Sequence, residues 1–336
     1  MLGKMIVNGI MVDSRSIRVN QSRCLRLRNS AFECSHCVSC CVVDAVRIDE
    51  GGLFINESLC IECMLCVSEC PSGSFEVKGT DFPSDIETLR GIPKPVLACN
   101  RKPGLEVHVR LPCLGFLSVE HLAFLAISVE QGIQLNLTEC NKCNNSFIID
   151  RIRKRLQDID ARISFAISEK IKLVENREDL EYRDVSYNRR DFFKALTGVS
   201  AQGARRFLFN DAPDRKGQAF SEKKPPVRRE LLNRIVGFSN NSVCVDILES
   251  FYYEIRTEQG CDHCFCCVAA CPSGALYPQN RESGKRLLFN SSLCNGCGLC
   301  AVFCRKGALN ISRGYHGGHP FQFTLCHGER GALVNP

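Results

Sequence analysis

The chain has 336 residues, 44% of them hydrophobic and 24% charged, with a formal charge of +6. That is a globular composition long enough for two or three domains, and it excludes a disordered polymer. Twenty-four residues are cysteine, crowded into 24–70, 99–143 and 244–304 with Cys326 near the end. A disulfide scaffold of that density is expected to be short and to carry a secretion signal. This chain is long, and Asp13 interrupts the apolar start "MLGKMIVNGIMVDSRS" before a signal-length core develops. No run approaches the roughly 18 apolar residues of a membrane span. Metal ligation in a soluble, cytoplasmic protein, where thiolates stay reduced, is the expectation.

In chain order, the first cysteine-rich segment reads as a pair of half-motifs over residues 20–80. Its second half, Cys60, Cys63, Cys66 and Cys70-Pro71, is a complete C-x2-C-x2-C-x3-C-P run. That spacing belongs to iron-sulfur ferredoxins: one loop wraps three corners of a cubane, and the fourth cysteine reaches across to the neighbouring cluster. The first half, "SAFECSHCVSCCVVDAV", lacks its first ligand. Placing Cys41 as the fourth ligand aligns "CVVDAV" with the half-motif ends "CPSGSF", "CPSGAL" and "CRKGAL", and leaves eighteen residues before Cys60. The rival register, Cys34, Cys37 and Cys40 with Asp44, loses that match and needs a carboxylate on iron. In the preferred register Ala31 stands where the first ligand should be. Cys24, Cys40 or nothing fills the corner; Cys24, on a free upstream segment of nine residues, is the preferred choice. The expected sets are Cys24, Cys34, Cys37 and Cys70 for the first cluster and Cys60, Cys63, Cys66 and Cys41 for the second.

Residues 94–160 read as a small α/β domain with a short parallel-type sheet. The strands "PVLAC", "EVHVRLPC" and "IQLNLTEC" end at Cys99, Cys113 and Cys140, with Cys143 three residues on. A helix from a Ser118 cap to Gly132 connects the last two, which favours parallel strands with Cys113 and Cys140 at one carboxyl edge. Only "NRKPGL" joins the first two strands, short for a parallel crossover, so Cys99 is the weakest member of the group. These four form a candidate fifth metal or redox site, with [2Fe-2S], [4Fe-4S], zinc, reactive thiols and plain core cysteines all open. Over 146–159 an apolar stripe of Ile148, Ile149, Ile152, Leu156 and Ile159 predicts a helix, with "RIRKR" as its solvated face.

Residues 161–254 read as a helical or irregular connector. "NRRDFFKAL" at 188–196 resembles a twin-arginine export signal, but it lies deep in the chain and its sequel is too polar, so it reads as a helix start. Proline and charge without periodicity over 210–229 predict a mobile linker. Residues 255–315 then repeat the paired half-motifs in full, giving Cys261, Cys264, Cys267 and Cys304 for a third cluster and Cys294, Cys297, Cys300 and Cys271 for a fourth. Cys244, Cys266 and Cys326 lack partners at ligand spacing and read as structural. His36 and His263, inside cluster loops, are placed to tune potential through hydrogen bonds to sulfur.

The two modules resemble bacterial 2[4Fe-4S] ferredoxin domains, and the whole order is similar to bacterial 4Fe-4S dicluster-domain proteins. Such proteins carry "RCLR" ahead of the first cysteine run and "LPCLG" before a later C-x2-C; here these are "RCLRLR" from Arg23, "RLPCLG" from Arg110 and "CNKC" from Cys140. The resemblance adds support for Cys24 as a ligand. The middle region is more weakly similar to the [2Fe-2S] delta subunit of methyl-viologen-reducing hydrogenases. The expected fold is therefore α+β, with two ferredoxin-like modules flanking the small α/β domain. Cubanes with four thiolates each contribute about −2, so four of them turn the formal +6 into about −2 and remove any charge argument for nucleic acid. There is no G-x-G-x-x-G, P-loop or H-E-x-x-H. The expectation is single-electron transfer with no catalytic residues, as partner or subunit of an oxidoreductase such as a formate dehydrogenase or hydrogenase. A redox sensor or cluster-delivery factor using the middle cysteines is the alternative.

Overall fold

The computed structural model describes residues 16–102, 104–184, 223–238, 242–281 and 284–326, with the backbone of two short strands, β1 (Ile6–Val7) and β2 (Ile10–Met11). The 188–196 stretch and 210–222 of the expected linker lie outside these residues.

One two-sheet plan occurs twice. In the first unit β3 (Ile17–Val19) pairs antiparallel with β6 (Phe75–Val77), and β4 (Val46–Asp49) forms a hairpin with β5 (Gly52–Ile55). In the second, β11 (Tyr253–Thr257) pairs antiparallel with β14 (Leu309–Arg313), and β12 (Leu276–Arg281) forms a hairpin with β13 (Gly284–Phe289). Short helices follow the cysteine loops: α1 (Leu25–Arg28), α2 (His36–Ser39) and α3 (Leu65–Glu69) in the first unit, and later α9 (Cys266–Ala270) and α10 (Leu299–Val302) in the second. Each unit opens with a strand a few residues ahead of the boundary that the cysteine spacing suggests, at Ile17 and Tyr253. The second also recruits β15 (Thr324–Leu325) against β13, beyond residue 315.

Between them in sequence lies a four-stranded, wholly parallel sheet in the order β10-β9-β7-β8, from β7 (Val96–Cys99), β8 (Val109–Leu111), β9 (Ile133–Asn136) and β10 (Ile171–Val174). Nine residues suffice to bring β8 parallel to β7, with Cys99 opposite Leu111. The short connection therefore does not remove Cys99 from the carboxyl edge. The small α/β unit also runs past residue 160, into what the sequence presents as connector, because "IKLV" at 171–174 completes the sheet edge.

Preceded by the short α4 (Phe82–Glu87), helix α5 (Val119–Ser128) starts on a capping box: the Ser118 hydroxyl faces the His121 amide while the His121 ring accepts from the Ser118 amide. It ends a turn earlier than Gly132 suggests. Helix α6 (Ile148–Asp160) buries the expected isoleucine and leucine stripe, but Arg155 is buried with it and is not part of the solvated face. After Pro225-Pro226, α7 (Val227–Phe238) begins inside the expected linker and packs on α5; α8 (Ser242–Phe251) follows. From α7, Arg228 reaches Glu120 and the carbonyls of Val67 and Cys70, while Arg229 reaches the carbonyls of Phe251, Ser291 and Ser292 and lies over the Tyr252 ring. The two-sheet units also touch directly: the Asn295 amide donates to Pro71 O at 2.6 Å. What separates them in sequence does not separate them in space. No helix among the described residues is long and apolar enough to cross a membrane.

Candidate metal centres

The three regular cysteine loops share one backbone. In each, the residue before the second cysteine and the residue after it are left-handed: Glu62 and Met64 (φ 50° and 66°), His263 and Phe265 (54° and 59°), Gly296 and Gly298 (67° and 77°). For the four non-glycine residues this costs roughly 1–2 kcal/mol each, strain that persists where the surroundings over-determine it and that concentrates at functional sites. Turns of this kind aim successive amides into one concavity, a cradle for negative charge. Accordingly the amide two residues on offsets part of the upward thiol shift at Cys63, Cys294 and Cys297, where burial is the larger cause, and at Cys264 as well. Both crossing cysteines of the first unit receive amides from four residues on, Ala45 to Cys41 and Ser74 to Cys70, each at 3.2 Å.

Four groups of four thiols result. Cys37 is pushed up to about 12, first by burial and then by Cys70, Cys24 and Cys34. Cys24 and Cys34 are raised by burial too, each with Cys70 beside it. Cys41, Cys60, Cys63 and Cys66 line one pocket together with Ile17, Val46 and Ile55. Cys267 is pushed up to about 12 by burial, with Cys261, Cys304 and Cys264 as charged neighbours. Cys271, Cys294, Cys297 and Cys300 line another pocket, in which burial pushes Cys294 and Cys297 up to about 12 and Cys300 well above its ordinary value. Four crowded thiols in an apolar pocket cannot ionise together on the protein's charges alone. A cationic metal core between them would supply the missing charge, and coordinated thiols are deprotonated outright. The donor sets therefore fit iron-sulfur clusters. They surround cavities; among the described residues no three His, Cys, Asp or Glu are grouped to share one metal ion.

Cys24 sits in a local frame that the sequence repeats. "NQSRC", "NESLC" and "NSSLC" lead into Cys24, Cys60 and Cys294. In each, the asparagine side chain accepts from the serine amide two residues on, at 3.2, 3.1 and 3.0 Å, and from its hydroxyl at 2.7 Å. This Asx turn delivers the cysteine at a fixed angle, and N-x-S-x-C is the sequence signal that spacing alone overlooks. The Arg26 and Leu27 amides both lower the Cys24 thiol. Cys40 lacks this frame: its Sγ donates to Cys37 O at 3.4 Å, and burial, Glu69 and Cys63 push it up to about 12 against the opposing charge of Arg151.

At the parallel sheet, Cys99, Cys113, Cys140 and Cys143 come together at the carboxyl edge. Cys140 is pushed up to about 12 by burial, then by Cys99, Cys113 and Cys143. Cys113 is pushed up to about 11 by burial and eased by the Gly115 amide and by Asn145, whose Nδ2 lies 3.6 Å from its sulfur. Of the cysteines read as structural, Cys244 points its Sγ at Val236 O. Cys326 is buried with Cys267 and Cys261 as charged neighbours, a proximity that its distance in sequence hid. His36 bears on Cys34 through its backbone amide, and the His263 ring lies edge-on to Phe265.

The groups are also neighbours of one another. Cys300 senses Cys267, Cys297 senses Cys34, and Cys66 senses Cys37. Leu25, Ala270 and Leu299 fill the junction where Cys34 and Cys297 approach, with Phe32 and Phe303 against them.

A model of the 4Fe-4S dicluster domain matches residues 260–308, and one of the 4Fe-4S binding domain matches 53–76. Formate hydrogenlyase subunit 2 of Escherichia coli (strain K12) is 38% identical over 66 residues, 18% of this chain and 32% of that protein. The respiratory nitrate reductase beta chain of a Bradyrhizobium species is 35% identical over 77 residues, 22% and 29% of the two chains. An uncharacterised ferredoxin of Methanocaldococcus jannaschii is 29% identical over 96 residues, 27% and 51%. The chain thus spans about a third to a half of the length of these relatives.

Proposed function

From the premise that this chain is a 4Fe-4S ferredoxin-type protein of iron-sulfur electron transfer, we propose that it is a multi-centre electron conduit. Four [4Fe-4S] clusters are assigned to Cys24, Cys34, Cys37 and Cys70; to Cys41, Cys60, Cys63 and Cys66; to Cys261, Cys264, Cys267 and Cys304; and to Cys271, Cys294, Cys297 and Cys300. The shared Asx turn favours Cys24 over Cys40 in the first set. The middle thiols, Cys99, Cys113, Cys140 and Cys143, hold a further iron-sulfur centre. Bound clusters supply one-electron redox chemistry; the chain's own residues set their spacing, exclude water and aim amides at their sulfurs.

The observation that carries this reading is adjacency. Each of the four ferredoxin-type groups places a cysteine beside a cysteine of the next, from Cys267 and Cys300 through Cys297 and Cys34 to Cys37 and Cys66. A scaffold that merely bound metal would not need its sites in file. The relatives named as a formate hydrogenlyase subunit and a nitrate reductase beta chain point to an oxidoreductase as the partner, reached by docking or as a shared complex. Anaerobic purification with iron and sulfide counts, followed by reductive titration, tests the proposal. About eighteen to twenty irons and one electron taken up per centre are expected. A colourless protein carrying zinc overturns it.

A further inference from the structure

The turn that carries Cys113 lies on the loop that carries Cys63 with no room between them. A Cβ built on Gly115 would stand 2.1 Å from the carbonyl oxygen of Cys63 and 2.7 Å from Ile148 Cδ1. The first of these is backbone and cannot swing aside. Hydrogen bonds lock the contact from both sides. Ser68 Oγ donates to Gly115 O at 2.8 Å, and Arg155 Nη1 donates to the same oxygen at 3.2 Å. Asn145 Nδ2 spans the two sites, 3.4 Å from Ile61 O and 3.6 Å from the Cys113 sulfur. Arg101 donates to Ile61 O at 2.9 Å and pairs with Glu62.

We propose that Gly115 is a spacing residue that seats the Cys99, Cys113, Cys140 and Cys143 site directly on the Cys41, Cys60, Cys63 and Cys66 site. The middle cysteines thereby form the terminal station of the conduit, at the opposite end from Cys261, Cys264, Cys267 and Cys304. The inference rests on the reading above and adds the order of the stations and the residue that sets the last gap. One electron leaves one centre and arrives at the other; no bond is made and no proton is required. A side chain at position 115 parts the two loops, and coupling between the centres falls with the separation.

The test uses full-length protein loaded anaerobically. In the wild type, EPR of the middle centre is recorded while dithionite reduces its neighbour; faster relaxation or splitting of the middle signal is expected as the neighbour becomes paramagnetic. In G115A the iron count holds and that interaction is lost, whereas in G237A, where a new Cβ meets no atom within 4 Å, it persists. N145A, which removes the side chain spanning the two loops without a clash, weakens the interaction and serves if G115A fails to load. A wild-type middle signal indifferent to its neighbour, or a G115A signal still coupled, overturns the proposal. About sixteen irons in the wild type also overturn it, because the middle site then holds no iron, while the four-centre conduit stands.

Discussion

Arg155 offers the most direct measure of what holds the α/β unit to the first ferredoxin-type unit. Its side chain is 8% exposed and pairs with Glu69 at 2.5 Å. It also donates to Leu117 O at 2.6 Å, Ser68 Oγ at 2.8 Å and Gly115 O at 3.2 Å. Arg155→Leu keeps most of the packing and removes every one of these donors. Gly115 O retains Ser68, so the loss is dominated by Leu117 O and Ser68, at about 1.5–3 kcal/mol for each hydrogen bond to a charged donor. Glu69, 36% exposed, regains water and adds only about 0–1 kcal/mol. The gross sum is about 3–7 kcal/mol, and after relaxation the loss should fall in the range of about 3–5 kcal/mol for breaking a buried charged network. A protein of several units does not melt in two states, so native-state hydrogen exchange of amides in α3, α6 and the 114–117 turn is the suitable assay. Exchange should accelerate by about two to four orders of magnitude there. Arg153→Ala, which removes an exposed pair with Asp150 and Glu175, should change it by less than about tenfold. If Arg155→Leu behaves like Arg153→Ala, the junction is not held as described.

Cys24→Ala should lose about four irons while Cys40→Ala keeps the full complement, read by iron analysis; the reverse result would assign the corner to Cys40. Gly296→Ala puts a Cβ 2.0 Å from the Tyr253 ring at φ 67°, and should empty the Cys271, Cys294, Cys297 and Cys300 site with a matching drop in absorbance near 400 nm. His121 is buried, and burial lowers its pKa from 6.5 to about 3. The folded chain therefore binds fewer protons than the unfolded one between those values. Stability is full above pH 6.5 and is lost as pH falls toward 3, by about 1.4 kcal/mol per pH unit. In His121→Gln, which retains the capping-box geometry, the loss of α5 amide protection between pH 7 and 5, corrected for the intrinsic exchange rate, should shrink. Chelator should strip the centre with the exposed Cys264 before the one whose Cys294 and Cys300 are buried, seen as a first phase of about four irons.

Much of the grouping of the cysteines was legible because the spacing that a cubane requires is local. The C-x2-C-x2-C spacings at Cys60, Cys63 and Cys66, at Cys261, Cys264 and Cys267, and at Cys294, Cys297 and Cys300 need no tertiary information, since three cysteines share one loop, while Cys70, Cys271 and Cys304 cross to a neighbouring group. Cys24 is ten residues from Cys34, and only the recurring N-x-S-x-C turn ties it locally to Cys60 and Cys294. Gly115 was invisible for a different reason: its constraint comes from Cys63, fifty-two positions away. A glycine two residues after a cysteine, as in "CLG" and again in "CNG", is the faint local trace. Strand β10 was missed because four apolar and charged residues carry no helical or alternating pattern. Arg155 was assigned to the solvated face because periodicity marks a face as polar without saying that a carboxylate and three buried acceptors wait opposite it.

Adjacent arginines on α7 grip different units, Arg228 the first and Arg229 the second. Since Arg228 and Arg229 share a helical turn, neither unit can swing away without breaking buried charge-assisted bonds on its side of the helix. Electron exchange between the clusters proposed at Cys34 and at Cys297 would then require no docking step and no diffusional search. Its rate should be insensitive to viscosity and to ionic strength, in contrast to the encounter with any external partner.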